Sequence, residues 1–244
     1  ATDRRFHLDL AAIEKALTLK TRVLLINSPN NPSGAVYTSA ELEALGDLLQ
    51  RASARFGRRI YLLSDEPYRR IAYDVAVPSV FEAYPHAIVV NSFSKELSLA
   101  GERIGYLAVH PEAQDAAQIL AAAAAINSMN VVNAPSLFQQ VAVKVPGAGV
   151  DVSAYRRRRD RMCTVLSEAG YDFVRPEGAF YLFPKSPIAD DVRFTRLLKE
   201  ERILVSPGRA FGAPGYFRIS YAVPEAAIGG SREGFRRARQ KALG

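Results

Sequence analysis

Apolar residues fall into two kinds of pattern along the first half of the chain. Four short continuous runs, Val23 to Ile26, Ile60 to Leu63, Ala87 to Val90 and Ile104 to Val109, have the length and composition of buried strands. Between the first two, Leu42, Leu45, Leu48, Leu49, Ala52 and Phe56 recur at helical spacing and define one apolar face. Thr38, with Glu41 three residues on, marks the start of that helix as a capping box. Strand, helix, strand implies a parallel sheet, because parallel neighbours need a crossover long enough to return over one face. Pro111 is placed to open a further, alanine-rich helix at its first turn.

The second half has a different texture. Pro146-Gly147-Ala148-Gly149 interrupts the pattern before a long helix from about Val152 to Ala169. Short strands are predicted near Phe173, Ala179 to Phe183, Ile203 to Val205 and Phe217 to Tyr221, with helices near Asp190 to Glu201 and Pro224 to Ala242. The expected organisation is an α/β domain with a mostly parallel sheet over residues 1–153, followed by a smaller α+β domain over residues 154–244.

Composition narrows the function classes. With 244 residues, 48% hydrophobic and 23% charged, the chain is ordinary globular material, not disordered or fibrous. No apolar run approaches the roughly 18 residues a bilayer span needs, so no membrane partner is expected. Neither an apolar leader nor a cysteine pair points to export; the single Cys163 fits a reducing, cytoplasmic setting. A net charge of +7 raises the question of nucleic acid. The excess, however, is concentrated in Arg156 to Arg161 and Arg232 to Arg239, inside helical patterns and with no aromatic ladder interleaved, which reads as solvated helix faces. No nucleic-acid partner and no metal are expected. Consecutive arginines cannot share one helix face, and Arg159 lies near the stripe of Tyr155, Met162 and Leu166, so it is predicted to snorkel or to bridge two domains.

Ligands of parallel sheets bind at the carboxyl ends of the strands. After the first predicted strand comes Asn27-Ser28-Pro29-Asn30-Asn31-Pro32-Ser33-Gly34, after the second Ser64-Asp65-Glu66-Pro67-Tyr68, and after the third Asn91-Ser92-Phe93-Ser94-Lys95. Gly101-Glu102-Arg103-Ile104-Gly105-Tyr106 follows. Taken singly these are a turn, a helix cap and a surface lysine. Together they direct an amide, a carboxylate and a lysine to one region.

In order and rough spacing, Asn31-Pro32-Ser33-Gly34, Asp65-Glu66-Pro67-Tyr68, Ser92-Phe93-Ser94-Lys95 with Gly101 and Arg103, and Arg218-Ile219-Ser220-Tyr221-Ala222 resemble the class I/II aminotransferases. These are pyridoxal 5'-phosphate (PLP) enzymes of fold type I, usually homodimers, which move the amino group of an L-amino acid to a 2-oxo acid. The resemblance runs over essentially the whole chain. It implies that Lys95 forms a Schiff base with PLP and, once displaced, moves the proton at substrate Cα, since a neutral amine is both nucleophile and base. Asp65 would keep the pyridine nitrogen protonated, and Tyr68 and Asn31 would hydrogen-bond the ring's phenolic oxygen. Ser92, Ser94 and Arg103 would hold the phosphate, and Arg218, with Asn31 beside the substrate, would take the α-carboxylate bidentately.

The match begins partway through the family's pattern. The glycine-rich phosphate turn, the aromatic residue stacked on the pyridine ring and further sheet strands have no counterpart in these residues, so the expectation is a partial large domain, a fragment inactive alone within an active parent. Residues 113–142 contain no lysine or arginine, and Asn127, Ser128 and Asn130 lie there instead, which argues against one branch's way of recognising dicarboxylates. Two alternatives keep the fold: a PLP-dependent lyase or decarboxylase, in which the same residues serve a different bond, and the aminotransferase-like sensor domain of a transcription regulator.

Overall fold

The computed structural model of the chain describes residues 2–145 and 147–244. Pro146, part of the predicted break, lies outside the described residues. Contacts separate the chain into two compact units: Ala1–Pro29, Val36–Arg70 and Val75–Val150 form one, and Asn30–Ala35, Ile71–Asp74 and Asp151–Gly244 the other. Two short pieces from within residues 1–153 therefore group with the C-terminal part.

The first unit is built on a four-stranded sheet of order β1-β2-β3-β4. β1 (Val23–Asn27), β2 (Tyr61–Asp65) and β3 (Ala87–Ser92) are parallel, while β4 (Gly105–Val109) runs antiparallel to β3. Ahead of β1 lies α1 (Leu10–Ala16), and α2 (Ser39–Phe56) crosses from β1 to β2. The predicted capping box is formed, with the Thr38 side chain accepting from the Glu41 N–H and the Glu41 side chain accepting from the Thr38 N–H. Leu42, Leu45, Leu48, Leu49 and Ala52 are buried against Ile26, Ile60, Leu62, Ala87 and Val89 of the sheet, one continuous core. The short α3 (Val80–Ala83) precedes β3, and α4 (Phe93–Glu96) follows it directly.

Pro111 does not begin a helix. The His110 carbonyl accepts from the Ala113 N–H and its ring from the Glu112 N–H, making a turn over residues 111–115, and α5 (Ala116–Asn130) starts beyond it. Asp115, at the cap position, is drawn instead to Arg59 at 2.7 Å and the Tyr61 hydroxyl at 2.9 Å. No residue of α5 is buried, and α6 (Ser136–Lys144), which the sequence pattern did not announce, is likewise exposed.

The second unit carries a small antiparallel sheet of order β5-β7-β6, made of β5 (Tyr181–Leu182), β6 (Ser206–Pro207) and β7 (Phe217–Ser220). Its helices are α7 (Val152–Glu168), α8 (Asp191–Glu200), α9 (Glu225–Gly230) and α10 (Arg232–Leu243). Tyr171, Phe194, Phe217 and Phe235 meet edge-on or tilted in its core, ring centres 5.1 to 6.1 Å apart.

Several strand and helix expectations here are corrected. No strand forms at Phe173. The chain there is held by the Tyr171 hydroxyl donating to the Phe235 carbonyl at 2.9 Å and by one main-chain bond from the Lys185 N–H to the Asp172 carbonyl at 2.9 Å, and not by a ladder. Residues 203–205 are not a strand, because the Ile203 N–H still closes α8 on the Leu198 carbonyl and Arg202 sits at φ 60°; extended pairing starts only at Ser206. The helix predicted over Pro224 to Ala242 is two, parted at Ser231 after the adjacent Gly229 and Gly230, poor helix formers.

Arg159 does not snorkel. It is buried, its guanidinium donating to the Pro176 carbonyl at 3.1 Å and to Asp160 at 2.7 Å, and lying 4.7 Å from the centre of the Tyr73 ring. What it bridges is the Ile71–Asp74 piece and α7, both within the second unit.

Candidate active site

In the first unit, parallel register puts chemistry on adjacent strand ends. Asn27 of β1 lies opposite Asp65 of β2, and Asp65 opposite Val90 of β3. The Asn27 amide donates to the Asp65 main-chain carbonyl at 2.8 Å and to its carboxylate at 3.2 Å, tying both ends of that residue to the next strand. Asp65 is half-buried, and burial pushes its carboxyl above the usual carboxylate range. A carboxylate so placed is stabilised by a cationic N–H donor, which is what a protonated pyridine nitrogen offers.

The turn after β2 is locked by charge. Buried Glu66 accepts from Ser64 at 2.9 Å and from Arg69 at 3.0 Å, and Arg69 also donates to the Val77 and Pro78 carbonyls. That turn carries Tyr68, which is buried.

At the end of β3, Ser92 caps α4. Its hydroxyl accepts from the Ser94 N–H at 3.2 Å and lies 2.7 Å from the Ser94 hydroxyl, so the two serines are paired at the strand end. Lys95 sits in the same turn, half-buried. Gly105 lies opposite Ser92, where a Cβ would come within 2.3 Å of the Asn91 carbonyl oxygen; only glycine lets β4 approach so closely. Arg103, just ahead of β4, is exposed and its guanidinium turns back to the Ala100 carbonyl at 3.0 Å, not to the serines. Arg103, Asn91, Tyr106, Leu120, Asn127 and Asn130 line an open cavity of about 750 Å³.

The remaining candidates belong to the second unit. The Asn31 to Gly34 loop is built as an Asx turn, with Asn30 Oδ1 accepting from the Ser33 N–H at 3.1 Å and the Ser33 hydroxyl at 2.8 Å. Gly34, at φ 73°, accepts from the Glu177 and Gly178 N–H groups, and a Cβ there would fall 2.3 Å from Pro176 Cβ. The loop presents Asn31, whose Oδ1 accepts from the Arg218 guanidinium at 3.0 Å. Arg218 also donates to the Ser206 hydroxyl at 3.4 Å and lies over the rings of Tyr181 and Phe211.

The structure thus joins Asn31 with Arg218, and sets Asp65 and the Ser92–Lys95 turn on neighbouring strands. Sequence reasoning assigned no role to Asn27, Glu66 or Phe211. Asn27 was legible as a polar end to an apolar strand; the other two show only in three dimensions. Among the described residues no cluster of metal-ligating side chains occurs, and no helix is long and apolar enough to cross a membrane.

Comparison with known proteins adds independent support. Residues 1–229 match the family described as Aminotransferase class I and II. The chain is 37% identical over 257 residues to a probable aspartate/prephenate aminotransferase of Aquifex aeolicus, covering 98% of this chain and 61% of that protein. It is 36% identical to the aspartate/prephenate aminotransferase of Thermus thermophilus over 94% of this chain and 59% of the relative. Among solved structures, an aminotransferase from Eubacterium rectale superposes with a TM-score of 0.95 at 42% identity, covering 98% of this chain and 61% of its own. Aspartate aminotransferase from Thermotoga maritima superposes with a TM-score of 0.82 at 32% identity, over 99% of this chain and 62% of its own. The chain therefore spans about three-fifths of the length of the relatives it matches. Its α/β architecture is that of PLP-dependent transferases of fold type I, and with the motif order, the sheet and the relatives in agreement, the chain belongs to the class I and II aminotransferases.

Proposed function

We propose that the protein containing these residues is a PLP-dependent aminotransferase (EC 2.6.1.-) acting on an L-amino acid and a 2-oxo acid. The observation that carries this reading is Asp65, a half-buried carboxylate fixed by Asn27 at one strand end, with the Ser92–Lys95 turn ending the next strand. The donor set suits PLP: a carboxylate for the ring nitrogen, hydroxyls at Ser92 and Ser94 for a phosphate, and an amine at Lys95.

When bound, PLP supplies an aldehyde carbon that takes and returns the amino group and a ring that withdraws electrons from substrate Cα. The chain's own residues do the rest. Lys95 would provide the amine that holds the cofactor's aldehyde and the base that moves the proton at Cα. Asp65 would pair with the ring nitrogen and favour its protonated form. Tyr68 and Asn31 would donate to the ring oxygen, and Ser92, Ser94 and Arg103 would hold the phosphate. Arg218 grips the α-carboxylate with its planar fork. Relatives are named for aspartate and prephenate, so those are the first substrates to assay. A homodimer in the cytoplasm completes the reading. The relatives' names give no support to a lyase or a sensor domain.

The test is chemical. Borohydride reduction of the PLP-loaded complete protein, followed by peptide mapping, should place the label on Lys95, and an amino acid should yield its 2-oxo acid in stoichiometric half-reaction. Label on another side chain, or ammonia in place of the 2-oxo acid, would refute the proposal.

A further inference from the structure

Arg218 is held in an unusual setting. Its guanidinium carbon lies 4.6 Å from the centre of the Tyr181 ring and 4.7 Å from that of Phe211, over both rings. A guanidinium binds a carboxylate through its N–H edge, whereas aromatic rings engage its face. The two kinds of contact do not compete. Asn31 and Ser206 fix the edge by accepting at 3.0 and 3.4 Å, and the two rings lie against the guanidinium.

Tyr181 is placed by β5, but Phe211 ends a short 3₁₀ turn, Gly208–Phe211, whose position needs its own support. That support is Asp191, which is fully buried and accepts from the Arg209 main-chain N–H at 2.7 Å and from Arg209 Nε at 2.9 Å. The Gly208 N–H donates to the Tyr216 carbonyl at 2.8 Å, and a Cβ on Gly208 would fall 2.3 Å from the Ala213 carbonyl oxygen, so the turn has no slack. Phe183 packs edge-on against Phe211, ring centres 6.0 Å apart.

We propose that Phe211 and Tyr181 are positioning residues that pre-set the plane of Arg218 for a carboxylate, and that Asp191, through Arg209, holds Phe211 in place to do so. The proposal rests on the reading of Arg218 as the α-carboxylate receptor. Its physical content is pre-organisation: a long side chain ordered before the ligand arrives loses less freedom on binding. The contribution falls on binding more than on chemistry, because the carboxylate is gripped in ground and transition states alike.

The test uses the complete holoenzyme and two readouts. Phe211→Leu keeps the apolar bulk and removes the ring, and should raise the amino-acid KM about tenfold with kcat within about twofold, while Phe211→Tyr restores both. In parallel, the Arg218 side-chain resonances, shifted upfield by the ring faces, should move back in Phe211→Leu and not in Phe211→Tyr. Asp191→Asn should reproduce the resonance change without altering either ring; if that variant does not fold, the Phe211 pair alone decides. Arg218 resonances unmoved in Phe211→Leu overturn the proposal, as does an unchanged KM there when Arg218→Lys raises it. A KM that Arg218→Lys leaves unchanged refutes instead the carboxylate role, and the resonances then settle the positioning by themselves.

Discussion

The candidate residues of the two units are held by different means. In the first, Asp65, Ser92, Ser94 and Lys95 sit where strands stop, placed by backbone register and a helix turn, with Asn27 reaching Asp65 from the next strand. In the second, Arg218 is placed by side chains: two rings, an asparagine 187 positions away, and a buried aspartate behind the turn that carries one ring. Backbone placement tolerates changes to neighbouring side chains, because the strand pairing persists when a side chain is trimmed. Side-chain placement does not, since each contact is one substitution from loss.

The sharpest contrast is between chemistry and architecture at Lys95. Lys95→Ala in the complete protein should lower turnover by at least roughly 10²- to 10⁴-fold while leaving the denaturant midpoint unchanged, as read by steady-state rates and urea unfolding. A matching loss of stability would mean that the turn depends on the lysine itself.

Asn27→Ala probes the cross-strand side chain that supports Asp65. Without the amide, Asp65 keeps its strand position and loses a donor, so turnover should fall about tenfold with little change in KM. A loss confined to KM would place Asn27 with substrate binding.

Two glycines measure backbone tightness in the two regions on one scale. Gly105→Ala and Gly208→Ala each push a Cβ to within 2.3 Å of a carbonyl oxygen, Asn91 in one and Ala213 in the other. Each should destabilise by about 1–3 kcal/mol in urea unfolding. Only Gly208→Ala should also move the Arg218 resonances, and a shift in both would erase the distinction drawn here.

The smallest effect concerns the cap of α2. Burial alone would raise the Glu41 carboxyl, but N–H bonds from Thr38 and Leu8, the Thr38 hydroxyl and the nearby His7 hold it below its ordinary 4.5. A carboxyl depressed in the folded state adds stability that is complete above the unfolded value and is lost as pH falls through the folded one. The unfolding midpoint should therefore drop as pH falls below the ordinary value of 4.5, and drop less in Glu41→Gln. An identical acid profile in the variant would remove Glu41 from that dependence.

These contrasts follow how legible each region is in the chain. The strands β1 to β3 and the capped helix α2 were readable because their signals are local: an apolar run, a 3.6-residue stripe, a Thr and a Glu three apart. α5 misled at its start, because a proline suited to a helix's first turn says nothing of the His110 turn or of the ion pair that draws Asp115 away. Arg159 misled for the opposite reason. Apart from the adjacent Asp160, its partners are Tyr73 and the Pro176 carbonyl, to which no spacing rule connects it.

By itself, the sequence determined the α/β class, the order of strand ends and the residue types that make the chemistry possible, because hydrophobic periodicity, capping and turn preference act over a few neighbouring residues. Only the tertiary structure decided that Asn27 tethers Asp65, that residues 30–35 and 71–74 belong with the C-terminal unit, and that Arg218 lies over two rings, one of them on a turn that Asp191 holds. Those features depend on where distant parts of the chain return. The free energy that sets the return is summed over a whole core, so no single segment carries it.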